Sequence, residues 1–570
     1  MENLKYKATI TTVLLTIFAL LSCNDYLEEN MISDVSSDSY YTTKEGLEDA
    51  MNAAYSYLKV QYFGQEPGMS MTVYGTDLHS NGSDGNKKLG QYNFDPSLGE
   101  LWEVWSTMYQ GINQCNAIIE RTDKNGEINE EFKIGLKAEA RFLRAMYYFI
   151  LVRQFGDVHL TLSETIGVET EANKTSRNEL YQTAIIPDLE YGIANLPDKQ
   201  VDYGRATKGA AQFLLSKVYL TYGWLKNDKE IFKKSIGLAE EIIRDENYSL
   251  LSDYADLWKI DNQKNSEVIW SIQNSTDPLT RGNGNRSHLF FLMGYDKLPG
   301  MKRSIEYGRP YIRYSPTPYA LSLWNREFDS RYYKSYQHVW FANNSANVLP
   351  AQKVGDTAIF LPGVNIGQKY YIPGENGSRV EKTLTQNYVD VHHNQTHVIY
   401  TPEERNGEAG TGYTERVYAS LGKFIDPTRE STNLKEGTRD FFVMRLAEAY
   451  LIAAEAYTKI DDKVNAAKML NVVRKRAAWP GFESQMEITE SEVGLDLILE
   501  ERGRELLGEM QRWYDLSRMG VLLDRVKLYS NATNSPNYAK DNIAEKHTLR
   551  PIPQNQIDRT FNVYEQNQGW

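Results

Sequence analysis

The chain has 570 residues, 41% of them hydrophobic and 24% charged, with a formal net charge of −13. That acidity argues against a nucleic-acid partner and against charge-driven adhesion to anionic lipid, since both need an excess of lysine and arginine. The chain has two cysteines, and Cys23 is assigned to lipidation below, so Cys115 is left without a partner for an internal disulfide.

Lys5 and Lys7 precede an apolar run, Ala8–Leu21, which is shorter than the roughly 20 residues a membrane-spanning helix needs. The run ends in Leu20-Leu21-Ser22-Cys23. A small residue ahead of a cysteine suits a lipoprotein signal peptidase, and the thiol carries the diacylglycerol. Residues 1–22 read as the signal peptide, Cys23 as the lipidated residue and 23–39 as a polar tether. Loss of Glu2, Lys5 and Lys7 takes the mature charge to −14. Each buried CH₂ contributes roughly 0.8 kcal/mol, and two or more acyl chains anchor stably. The chain is therefore expected to be held at a membrane surface without spanning it.

Helical periodicity begins near Lys44, where Leu47, Ala50, Met51, Ala54, Tyr55 and Leu58 fall on one face. Tyr62–Leu98, rich in Gly, Asn, Asp and Ser, reads as a long loop. Helix returns with Leu101, Trp105, Met108 and Ile112, and a third helix is expected over Glu131–Phe155. Others follow at Arg177–Leu196, Thr207–Leu225 and Asp228–Asn247. The expected division is thus an N-terminal helical part, 40–274, carrying the loop 62–98; an irregular insertion, 275–435; and C-terminal helices with a tail, 436–570. So long a span of Gly, Pro, Asn and Tyr inside a folded chain points to function more than to a linker.

The late helices are expected at Asp440–Lys459, Lys463–Ala477, Ser491–Leu507 and Met510–Leu523. With Tyr457 at the aromatic place of a tetratricopeptide unit, Tyr450, Ala453 and Ala454 fill the earlier places and Ala466, Leu470 and Val473 the later ones. Small residues let paired helices approach, and larger ones fill the groove. Thr207–Asn247 repeats the pattern with Leu215, Ser216, Tyr219 and Ala239. The fold class is therefore mainly α, a scaffold of tetratricopeptide-like helical pairs with a large irregular insertion.

Motifs for chemistry are few. Asp123–Asn129 resembles a calcium loop, but placing Gly126 at the sixth position puts Arg121 first and Phe132 twelfth, where oxygen ligands belong. It reads as a turn between helices. His392, His393 and His397 have no evident further ligand and read as a surface loop. Glu500-Glu501, flanked by Arg502 and Arg504, reads as ion pairs on a solvated face. No serine-hydrolase elbow, zinc-protease motif, Walker loop or dinucleotide fingerprint occurs. No metal or cofactor is expected.

The densest functional signal is aromatic. Between Tyr295 and Phe341 lie Tyr307, Tyr311, Tyr314, Tyr319, Trp324, Phe328, Tyr332, Tyr333, Tyr336 and Trp340. Flat rings stack on the apolar faces of sugars while nearby Asn, Asp and Arg bond hydroxyls. Trp324 and Phe328 are expected in the core.

These residues resemble the RagB/SusD family of outer-membrane nutrient-binding lipoproteins of Bacteroidota, over nearly the whole chain. The likeness rests on Cys23-Asn-Asp-Tyr-Leu27, Ala138-Glu-Ala-Arg-Phe-Leu-Arg-Ala145 with Phe155-Gly-Asp-Val158, and Arg445-Leu-Ala-Glu-Ala-Tyr-Leu-Ile-Ala-Ala-Glu455. It also rests on Leu470-Asn…Arg474-Lys-Arg-Ala477, Glu500-Glu-Arg…Arg512-Trp-Tyr-Asp-Leu516, and the closing Leu549-Arg-Pro-Ile-Pro553…Gly569-Trp570. Gln568 and Trp570 stand where Pro and Tyr are common.

The resemblance implies a surface-exposed, non-enzymatic lipoprotein of the outer membrane. It would capture a glycan for polysaccharide utilisation and deliver it to a SusC-like TonB-dependent transporter. The ligand site would lie on Tyr62–Leu98 and Ser275–Trp340. Within those regions the candidate residues are Tyr74, Asp77, Tyr92, Tyr295, Tyr307, Tyr311 and Trp340, the aromatics stacking and Asp77 hydrogen-bonding. Competing readings are a peptide- or protein-binding lipoprotein of a RagAB-like uptake complex, a surface enzyme, and a structural lid with no ligand.

Overall fold

The structure is a computed structural model that describes residues 41, 43–126, 128–405, 407–408 and 410–570. Cys23, the leader and the tether lie outside the described residues. Helix α1 (Lys44–Tyr57) starts at Thr43, whose side chain accepts the Gly46 N–H, and buries Leu47, Ala50, Met51 and Ala54. The segment expected to be one long loop instead contains α2 (Glu66–Val73) and strand β1 (His79–Asn81). Pro67 in the first turn of α2 gives up an N–H that has no helical partner there, so it suits the start of the helix.

α3 (Gly99–Lys124) and α4 (Glu130–Phe155) form a hairpin. Asn129 opens α4 by accepting the Phe132 N–H, so the Asp123–Asn129 segment is a helix-joining turn. Among the described residues no group of three or more His, Cys, Asp or Glu could hold a metal ion.

The helix expected over Arg177–Leu196 is broken. A short helix, Arg177–Leu180, widens into a π turn at Tyr181–Ile185 before α5 (Ile186–Asn195). Pro187 lacks an N–H and its ring crowds the carbonyl one turn back, and the wider turn relieves both. α6 (Lys208–Lys226) and α7 (Lys229–Arg244) are joined by Asn227, left-handed at φ 49°, and by Asp228, which caps α7. Their close approach rests on small residues. Ser216 and Ser235, both buried, each donate to the other's carbonyl at 2.9 and 2.8 Å, and Gly223 lies under the Phe232 ring.

The chain then leaves the helical stack through β2 (Val268–Ile272) and makes a three-stranded sheet among short segments. β3 (Tyr314–Pro316) pairs back with β1, while β4 (Val339–Phe341), β5 (Thr357–Phe360) and β6 (Val398–Ile399) form the sheet. It returns through β7 (Phe441–Arg445), antiparallel to β2. A helix was expected from Asp440, but Phe441-Phe-Val-Met444 is an aromatic and β-branched run that finds a strand of its own kind in Val-Ile-Trp-Ser-Ile.

α8 (Leu446–Lys459) then packs on α7, so the stack is continuous in space although the insertion interrupts it in sequence. α9 (Lys463–Ala477) and α10 (Leu495–Glu505) pack on α8, with Ala453, Ala454 and Ala466 fully buried. The last expected helix is two, α11 (Arg512–Arg518) and α12 (Leu522–Tyr529), parted at Gly520 with φ 70°.

The Glu500–Arg504 charges correct the expectation of a solvated face, because Glu501, Arg502 and Arg504 are buried. Arg331 of the insertion meets Asp329 at 2.7 Å and Glu501 and Glu505 at 2.8 Å. Arg445 meets Glu505 and Glu509 at 2.7 Å and Glu267 at 3.1 Å, and Arg476 reaches Glu267 at 2.6 Å. Burial alone would raise the Glu505 carboxyl, but Arg476, Arg445 and Arg331 outweigh it and hold it at about 2. This network ties Asp329 and Arg331, from the middle of the insertion, to α10 and to Glu267 and Arg445 on either side of the insertion.

Candidate functional site

Six of the seven candidate aromatic and acidic residues are in the core, which corrects their assignment to direct ligand contact. Tyr74 is fully buried, with its ring edge-on to Tyr314 and its hydroxyl accepting the Asn86 N–H at 3.1 Å. Asp77 is also fully buried. Arg512 grips it through two bonds of 2.7 Å and Arg525 through one of 3.0 Å, so it joins the N-terminal segment to α11 and α12. Tyr92 donates to the Gly75 carbonyl at 2.6 Å. Tyr295 donates to the Gly308 carbonyl, and Tyr307 accepts the Phe341 N–H at 2.9 Å. Trp340 points inward from β4. The rings expected to stack on a sugar are packed inside the protein, and their hydroxyls satisfy backbone groups there.

Tyr311 is different: it is half-buried, and the local backbone explains why. β1 pairs with β3 in the register His79–Pro316, Ser80–Ser315 and Asn81–Tyr314. Beyond it the 82–84 turn continues along the insertion, with Gly82 N–H to the Arg313 carbonyl at 2.8 Å and Asp84 N–H to the Ile312 carbonyl at 3.3 Å. Ser83 N–H reaches Glu415 at 2.8 Å, so three distant segments meet there. Tyr311 and Arg313 donate their own N–H groups to Leu289 and Phe290, each at 3.0 Å.

Between them Ile312 sits at φ 50° with its side chain buried. A β-branched residue in the left-handed region costs about 1–3 kcal/mol and persists only where its surroundings over-determine it. A Cβ at Gly82 would lie 2.3 Å from the Ile312 carbonyl oxygen, so only glycine lets the turn come this close. The effect of the strained residue is to send Ile312 into the core and leave Tyr311 and Arg313 toward solvent.

The Tyr311 ring is flanked by two guanidiniums, Arg309 at 5.4 Å and Arg313 at 5.2 Å from its centroid, and Phe290 supports it at 6.3 Å. Arg313 is held by Glu66 at 2.6 Å, and Arg309 by the Asn433 carbonyl. Asp84 is exposed, with Ser83 donating to it at 2.8 Å. The arrangement offers a partly exposed ring, two guanidinium donors beside it and a carboxylate acceptor nearby. That set can hold a polyhydroxylated ligand by stacking and hydrogen bonds. Phe341, half exposed at 50% and bonded through its N–H to Tyr307, is a second outward ring. Strand alternation could have separated it from Trp340, since successive side chains in β4 face opposite ways.

The neighbouring histidines are structural. His288 donates its Nε2–H to the Lys435 carbonyl at 3.0 Å, and burial lowers it to about 4. Of the His392, His393 and His397 group, His397 is buried rather than on a surface loop and stacks on the His392 ring. No described helix is long and apolar enough to cross a membrane.

Comparison with known proteins places this geometry in a family. Residues 264–570 match the SusD family model, and residues 25–220 match a model described as starch-binding associating with outer membrane. The chain belongs to the SusD family. It is 25% identical over 549 residues, 94% of each chain, to the SusD-like protein P25 of Formosa agariphila. Its fold is shared with a laminarin-binding SusD-like protein (TM-score 0.65, 22% identity, 93% of this chain and 100% of that one). It is shared also with a SusD homologue of Bacteroides thetaiotaomicron (TM-score 0.70, 21% identity, 94% and 99%).

Proposed function

We propose that the protein captures a neutral oligo- or polysaccharide at the cell surface and passes it to a SusC-like TonB-dependent transporter. In this reading it is held in the outer membrane by lipid on Cys23 and catalyses nothing itself. The observation that carries the reading is Tyr311, turned outward between Arg309 and Arg313 by a backbone strained at Ile312. Support comes from the family, one matching family model being described as starch-binding and one structural neighbour as laminarin-binding. Neutral hydroxyls suit these groups, because Glu66 already offsets the charge of Arg313 and Asp84 supplies an acceptor.

The site is assigned to Tyr311, Arg309, Arg313 and Asp84, with the exposed ring of Phe341 as a rim contact. The test is retention of the purified protein in gels containing laminarin or soluble starch. Retention by either glycan, lost on Tyr311→Ala, is expected. Retention unchanged by Tyr311→Ala would remove the site assignment, and tight binding of a peptide library with no glycan retention would replace the ligand class.

A further inference from the structure

A second cleft, of about 240 Å³, opens on the helical scaffold away from the insertion, between α4, α6 and α11. Arg153, Arg177 and Arg518 line it together with Tyr181, Trp224 and Tyr514. Their charges are unequally balanced. Arg518 is neutralised by Glu455 at 2.8 Å and Asp515 at 3.0 Å. Arg177 has Asp157 at 3.7 Å, on the exposed rim.

Arg153 has no carboxylate within ion-pair distance among the described residues. It is held instead by stacking, its guanidinium carbon 4.0 Å from the Phe149 ring centroid and 3.7 Å from that of Tyr514, and its Nε donates to the Phe149 carbonyl at 3.1 Å. These contacts fix the plane of the guanidinium and leave its two terminal nitrogens without an acceptor among the described residues. The field of the three arginines reaches Tyr181: all three guanidiniums lower its phenol, but burial outweighs them and leaves it raised to about 12. In a chain of net charge −13, a rigid, unpaired guanidinium in a cleft is the reverse of the general surface.

A fixed planar fork matches the paired oxygens of a carboxylate or sulfate and bonds them bidentately. Trp224, only partly buried, adds apolar surface suited to a sugar ring. We propose that this cleft binds the anionic group, carboxylate or sulfate, of an acidic saccharide, with Arg153 as the primary contact and Arg177 as the second. It does not depend on the Tyr311 face binding a glycan.

The test is calorimetry on the purified protein with methyl glucuronide, glucose 6-sulfate and neutral methyl glucoside. Either acidic sugar is expected to bind at least about tenfold more tightly than the neutral one, and which of the two binds better separates a carboxylate from a sulfate source. Arg153→Met is expected to weaken that binding about tenfold or more. If Arg153→Met fails to fold, Arg177→Gln, on the rim, serves in its place, with about a threefold loss and an unchanged melting temperature. Tyr311→Ala should leave acidic-sugar binding untouched. The proposal is overturned if the neutral glucoside binds equally, if neither acidic sugar binds at about 10 mM, or if the folded arginine variants bind as well as the parent.

Discussion

At the scale of single residues, sorting the aromatics by what their hydroxyls and faces touch separates scaffold from site. Trp340 is buried in β4 and Tyr311 is a half-exposed ring on a strained turn, although the two sit in the same Tyr-rich stretch. Trp340→Ala is expected to cost about 3–5 kcal/mol in chemical denaturation, as large aromatic deletions in cores do. Tyr311→Ala should cost under about 1 kcal/mol, because its ring is only partly removed from water. The sequence pattern was enough to locate the aromatic cluster. It could not say which rings face out, because Tyr is equally suited to a wet surface and to a core where its hydroxyl finds a carbonyl. Tyr295 and Tyr92 took the second option through Gly308 and Gly75. The one local sign, an isoleucine forced to positive φ, exists only in three dimensions.

Among the elements, periodic helices were legible where one face alone is buried, as in α1, and in α8 and α9 where alanines mark the contact. Legibility failed where long-range partners decide. β7 is a strand because β2 lies beside it, and α10 carries buried charges because Arg331 and Arg445 arrive from segments far away in sequence. A spacing rule sees Glu500–Arg504 only as neighbours on one helix. The buried network is expected to behave as a unit. Glu505→Gln would leave Arg331, Arg445 and Arg476 short of a negative charge, and breaking a buried pair in this way typically costs about 3–5 kcal/mol. Urea denaturation should show a matching fall in midpoint. A fall of less than about 1 kcal/mol would mean the network is more solvated than its geometry implies.

For the whole molecule, the stack of helices carries the insertion, and the insertion carries the candidate face. Its acid response follows from buried groups. His79 is lowered to about 3 and His338 to about 4, in both cases chiefly by burial. The unfolded chain therefore takes up protons first, and stability falls as pH drops from about 6.5 toward 4, at up to about 1.4 kcal/mol per pH unit for each imidazole. Glu505 and Asp515, both held at about 2 by arginines despite burial, extend the loss below pH 4.5. Asp440, raised to about 6 mainly by burial, opposes it in part between pH 6 and 3.8. Melting temperature is expected to decline steadily from pH 6.5 to 4, and a flat profile there would contradict the burial of these imidazoles. Under the proposed function, the Tyr311 face holds a neutral glycan. Calorimetry with laminarin and soluble starch, run on the parent and on Tyr311→Ala at one pH, tests it most directly. Saturable binding of at least one glycan is expected, weakened about tenfold or more by Tyr311→Ala with an unchanged melting temperature. Equal affinity in the two proteins, or no binding of either glycan, would contradict it.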